Sequence, residues 1–169
     1  NMLPNVALQE AMHENLERVG GVLYDDQEWN FAELIHESLG PQAPPLESAA
    51  EVQPFHVTEE GGGGSTDVAD VSWMVPTAGM SAATWIPGTS AHSWQAIAAG
   101  GTTIGNKGMV VAAKTLAMTA VDLFTRPDLI AAAKAEHAER IPDGWVYEPL
   151  LGDRDPPLDY RKPAGPGGN

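Results

Sequence analysis

The chain has 169 residues, is 43% hydrophobic, carries a formal net charge of −14 and contains no cysteine. That length supports one domain with a real core. The charge argues against nucleic acid and anionic membrane as partners, and the lack of cysteine excludes disulfides and thiolate metal sites. There is no unbroken apolar run of the roughly eighteen residues a membrane span needs, and the first residues lack the basic start and apolar core of a signal peptide, so a cytoplasmic location is expected.

Two amphipathic helices are predicted first. Asn5 is placed to cap a helix in which Leu8, Met12, Leu16 and Val19 share a face, ended by Gly20-Gly21. Asp25 with Glu28 three residues later forms a capping-box signature for a second helix carrying Trp29, Ala32, Ile35 and Leu39, stopped by Gly40-Pro41. Residues 41–54 are proline-rich and read as a surface loop. Residues 59–66, EEGGGGST, cannot be regular structure, because four successive glycines are costly to order.

Beyond them, Val68 to Val75 form a short helix or strand stopped by Pro76, and residues 79–86, GMSAATWI, read as a short buried strand ended by Pro87-Gly88. Residues 93–105 are small and glycine-rich, predicting an irregular segment. From about Lys107 to Phe124 the spacing is strongly helical, with apolar residues on both flanks, so this helix is expected to be buried on both sides. Thr125 is placed as the cap of a last helix with Pro127 in its first turn and Glu136 and Arg140 spaced for an i,i+4 pair. After Pro142 the chain is rich in proline and glycine, and its tip is expected to be disordered.

Few residues are placed to do chemistry. His92, in the loop after the expected strand, can offer a neutral imidazole to zinc or manganese, or can simply be packed beside Trp94. His13, His36 and His137 fall on helices and read as solvated; His56 is uninformative. Asp67 and Asp70 follow the glycine run. Asp67 either caps a helix turn or orients donors for an anion, such as a substrate carboxylate, received by loop N–H groups and the Thr66 hydroxyl. GGGGST lacks the lysine of a phosphate-binding loop, and GTTIGNKG lacks dinucleotide-loop spacing, which argues against nucleotides.

The run from Gly63 to Phe124, together with NVALQEAMHENLERVG near the start and YEPLL and PLDYR near the end, resembles metal-dependent amidohydrolases. The family is that of aminoacylase and carboxypeptidase-type metallopeptidases, and the likeness is greatest to a branch acting on p-aminobenzoyl-glutamate. The resemblance implies an α/β fold. Residues 1–152 would be the C-terminal portion of a three-layer α/β/α catalytic domain without its lid, and residues 153–169 a partly disordered tail. It implies hydrolysis of an N-acyl amino acid amide bond with two divalent metal ions, zinc or manganese. His92 would match the family's last metal ligand, and Gly63, Gly64, Ser65, Thr66 and Asp67 would line the substrate pocket. The remaining metal ligands and the catalytic glutamate have no counterpart here, so no catalytic residue is assigned in this chain. Completion by a missing N-terminal half or a companion subunit is expected, with a homodimer for the complete enzyme. A non-catalytic remnant or partner-binding module of the same fold is the alternative. The chain departs from the branch at Ala69 and Asn106, where glycine and histidine are expected.

Overall fold

The structure is a computed structural model, and it describes residues 1–57, 66–149, 152–158 and 161. Its elements in order are α1 (Val6–Val19), α2 (Asp26–Glu37), a 3-10 turn (Leu46–Ala50), α3 (Val68–Met74), α4 (Trp94–Gly100), α5 (Thr103–Thr125) and α6 (Pro127–Arg140). Among the described residues there is no strand and no sheet. The expected three-layer α/β/α architecture is therefore overturned.

The expected strand explains why. Residues 79–86 carry no helix, but every neighbour they have is helical. The Gln9 side chain of α1 donates to the Gly79 carbonyl at 2.7 Å and accepts from its N–H at 3.2 Å, standing where a paired strand would stand. A little further on, Gly108 of α5 lies so close that a Cβ there would sit 2.5 Å from the Ala83 carbonyl oxygen. An extended segment makes a strand only against another, and here its polar groups meet a side chain and a helix instead.

Local chemistry sets the first two helices. The Asn5 carboxamide accepts from Leu8 N–H at 3.1 Å, and Gly20 closes α1 at φ 79°. The capping box of α2 forms in full: Asp25 accepts from the N–H groups of Gln27 and Glu28, and the Glu28 carboxylate accepts from Asp25 N–H at 2.8 Å.

Two cores follow. Ala32 and Ile35 of α2 pack with Leu46, Ile86, Ala99 of α4 and Ile104 of α5, with Tyr24, Trp29 and Phe31 closing the sides. The second joins α1, α5 and α6. Its buried residues include Leu8, Ala11, Met12, Leu129 and Ala133, and polar ones as well: Asn15, Thr115 and Thr119. Asn5 ties α1 to α6 through a bond to the Ala133 carbonyl at 2.8 Å, and Glu136 of α6 accepts from the N–H groups of Val6 and Ala7 at 2.8 and 2.9 Å. Burial pushes the Glu136 carboxyl up, but these two N–H groups and Arg140, 2.9 Å away, outweigh it and hold it below the usual range.

Three further expectations change. Residues 93–105 are not irregular: Ser93 caps α4 by accepting from Ala96 N–H at 3.2 Å. Thr125 does not cap α6; its hydroxyl donates back to the Val121 carbonyl at 2.8 Å, finishing α5, while Pro127 opens α6. And α5 is not buried on both sides. By length and composition it is long and apolar enough to cross a membrane, and little of that apolar span is buried. The tail's expected disorder falls largely on residues 159–160 and 162–169, outside the described residues.

Candidate functional site

The residues singled out as a site fall in separate places. Gly63, Gly64 and Ser65 lie outside the described residues. Thr66 and Asp67 stand at the start of α3, and both are exposed. It is the Thr66 hydroxyl, accepting from Val68 N–H at 3.2 Å, that serves the first turn; Asp67 has helical φ and ψ and its side chain caps nothing. Its carboxylate is left facing solvent.

His92 sits in the turn between Gly88 and the cap residue Ser93. It is the one non-glycine residue among those described with a left-handed φ, 59°. Histidine enters this region more readily than most residues, yet the conformation is costly, and such costs gather at functional sites. The imidazole is exposed and has no hydrogen-bond partner among the described residues. It is therefore free to bind something.

That something is not held by neighbours in this chain. No group of three or more His, Asp or Glu side chains able to hold a metal ion occurs among the described residues. A metal site needs three or four protein ligands. His92 can supply one, so the described residues do not by themselves fit the pair of divalent metals the resemblance implies.

The largest cavity lies elsewhere. It is about 790 Å³ and is walled by α1, residues 48–56, residues 79–83 and Val111 of α5. Thr66 reaches it and His92 does not. Its size falls in the range of small-molecule sites, and Met12, Leu16, Val22 and Met80 make much of its wall apolar. Two histidines that local sequence left as solvated or uninformative are in its lining. His13 packs against the Phe55 ring with centroids 5.5 Å apart and lies 3.5 Å from Glu17; the His56 ring N–H donates to the Pro54 carbonyl at 3.3 Å. Leu16 shares the face of α1 with Met12, but no sequence spacing links that face to residues 52–56.

A second polar cluster is structural. Glu28 is buried at the start of α5, where Lys107, reaching back from the same helix, pairs with it. Burial works to raise its carboxyl, but Lys107, the Thr103 hydroxyl and Asp25 N–H prevail and hold it below the usual range. Tyr24, its phenol enclosed and facing the Glu28 charge, is pushed up to about 12. Tyr24 therefore stays protonated across the physiological range, and the Glu28–Lys107 pair locks α2 to α5.

No family model matches the chain, and no solved structure does. Among curated proteins, a p-aminobenzoyl-glutamate hydrolase subunit of Escherichia coli (strain K12) is 32% identical over 168 residues, taking in 86% of this chain. The match covers 35% of the relative, so the chain spans about a third of that protein's length.

Proposed function

From this relationship to a hydrolase we propose that the chain serves metal-dependent hydrolysis of an N-acyl amino acid amide bond, with p-aminobenzoyl-glutamate-like substrates, in company with residues from a further polypeptide. The observation that carries the reading is the 32% identity extending over 86% of the chain. The relative is named as one subunit of its enzyme, which is consistent with a companion chain. His92 is assigned as one metal ligand, supported by its exposed, unpartnered imidazole and left-handed backbone. The segment Gly63, Gly64, Ser65, Thr66 and Asp67 is assigned to seat the substrate carboxylate. Since one ligand does not make a site, the chain alone is expected to be inactive and the remaining ligands and the general base to come from outside the described residues.

A chimera tests this directly. The aligned third of the Escherichia coli relative is replaced by this chain, and metal content and p-aminobenzoyl-glutamate hydrolysis are measured together. Turnover that is lost along with metal in His92→Ala is expected. A folded chimera without turnover would overturn the functional reading. Full metal content and full activity in the His92→Ala chimera would instead sink the ligand assignment.

The second reading, a non-catalytic partner-binding module, is favoured by one observation: the solvent face of α5 is apolar along most of its length.

A further inference from the structure

Helix α5 is inside out. Its buried side carries Thr115 and Thr119, 0% and 3% exposed, while Phe124 is 91% exposed and Val121 59%. The two threonines can face the interior because each hydroxyl donates to a carbonyl one turn back, Thr115 to Val111 at 3.0 Å and Thr119 to Thr115 at 2.9 Å. The helix's polar groups are thus settled internally. The opposite face presents Val110, Ala113, Ala117, Val121 and Phe124 to solvent. A single exposed hydrophobe is ordinary, but a contiguous apolar stripe marks a contact surface.

The spacing of the stripe points to its occupant. The five residues are separated by three, four, four and three positions, a series that reads the same from either end and is centred on Ala117. If an identical helix is laid across it antiparallel, Ala117 meets Ala117, Phe124 meets Val110 and Val121 meets Ala113. Large residues then fall against smaller ones, and the smallest lie at the crossing, where two backbones must come closest. This self-complementarity is what a two-fold interface requires. Charge does not oppose it locally. The nearest acid on the helix, Asp122, is turned inward and accepts from the Asn15 amide at 2.6 Å, and Lys114, at the stripe's margin, would meet Ala120 rather than its own copy. The exposed apolar side chains of α5 offer roughly 600 Å² per copy, somewhat below the ~800 Å² per partner of a standard interface. The contact would be reversible.

We propose that α5 is a homodimerisation surface, pairing antiparallel with α5 of a second copy of this chain across a two-fold axis at Ala117. The inference is independent of the hydrolase reading. The net charge of −14 on each copy repels at long range, so raising salt tightens the pair.

The test is sedimentation equilibrium of the purified chain from 1 to 200 µM at 0.15 and 1 M NaCl, concentrations chosen to bracket a weak dimer of about micromolar affinity. A monomer–dimer equilibrium tightened by salt is expected. Phe124→Asp should weaken it at least about tenfold, a shift of 1.4 kcal/mol, with an unchanged circular dichroism spectrum, since Phe124 supports nothing inside. Ile97→Asp, on α4 and also exposed, should leave it unchanged. Because the chain has no cysteine, Ala117→Cys gives a clean second readout: mild oxidation should produce a disulfide-linked dimer, which Ala135→Cys on α6 should not. A mixture of Val110→Cys and Phe124→Cys chains should cross-link to each other, distinguishing antiparallel from parallel pairing. A monomer at every concentration overturns the proposal. So does a dimer insensitive to Phe124→Asp in which Ala117→Cys forms no cross-link, or growth into open oligomers. Co-sedimentation of the monomer with phosphatidylcholine vesicles, lost in Phe124→Asp, would assign the stripe to lipid instead.

Discussion

Replacing Glu136 by Gln tests how the N-terminus of α1 is held. The wild-type carboxylate receives two backbone N–H groups, from Val6 and Ala7, at a helix end whose dipole favours negative charge. Gln keeps the size, but its single carbonyl oxygen can serve only one of them, and its NH2 faces the other. Hydrogen bonds to a charged group contribute about 1.5–3 kcal/mol each, and the helix-end interaction a further 0.3–1. One lost and one weakened bond therefore cost about 2 kcal/mol, or roughly 4–8 °C in Tm for a chain of this size. Arg140, whose pair with Glu136 is partly exposed, contributes less; Arg140→Gln should cost under about 1 kcal/mol.

The pH dependence gives this prediction its sign. The Glu136 carboxyl is held below its ordinary value of 4.5 in the folded chain, so the unfolded chain takes up the proton first as pH falls. Its stabilisation is complete above 4.5 and is lost as pH drops through the folded-state value. Urea titrations of wild type and Glu136→Gln at pH 7 and at steps below 4.5 should show a gap of about 2 kcal/mol that closes with acid. A gap that keeps its full size after Glu136 is protonated would refute the reasoning, because the loss would then come from packing and not from charge.

Other expectations rest on single contacts. Lys107→Met leaves the buried Glu28 carboxylate without its cation. It should cost about 3 kcal/mol at pH 7 by urea titration, a deficit that shrinks as acid protonates Glu28. Gly108→Ala places a methyl 2.5 Å from the Ala83 carbonyl; the clash should exceed the ~1 kcal/mol gain in helix propensity and lower Tm, and a rise would show that residues 79–86 do not lie against α5. His92→Gly removes a left-handed side chain that bonds to nothing. It should leave the fold as stable or up to about 1 kcal/mol more stable, and clear destabilisation would mean the imidazole is structural.

What could be read in the sequence was whatever chemistry closes within one turn of chain. The Asn5 cap and the Asp25–Glu28 capping box join a side chain to backbone three residues away, so their partners are adjacent in sequence. The Glu136–Arg140 pair is of the same kind. Residues 79–86 were not legible, because an apolar run becomes a strand only through a distant neighbour, and that neighbour is the Gln9 amide. The α4 helix was hidden by its own small residues: Ala96 and Ala99 pack tightly against the core, and Ser93 supplies a cap that looked like loop polarity. At the site, His92 could be named from sequence, but its left-handed backbone could not. His13 and His56 share a cavity only because residues 48–56 fold back over α1.

Helix α5 shows the limit of periodicity most clearly. An apolar stripe on a helix is ordinarily taken to mark its inner face, and along α5 that rule selects the side that faces water. The error arises from threonine. Its hydroxyl can bond to its own helix, so its hydrogen-bonding demand vanishes from the interface and the methyl and backbone are left to pack; Thr115 and Thr119 do this against α1. Once the polar side is satisfied from within, nothing in this chain calls for Val121 or Phe124 to be buried, yet nothing in the physics of water favours leaving them out. The sequence keeps five turns of uncharged surface in a chain of net charge −14. Such a surface is costly to expose, and covering it by association removes that cost.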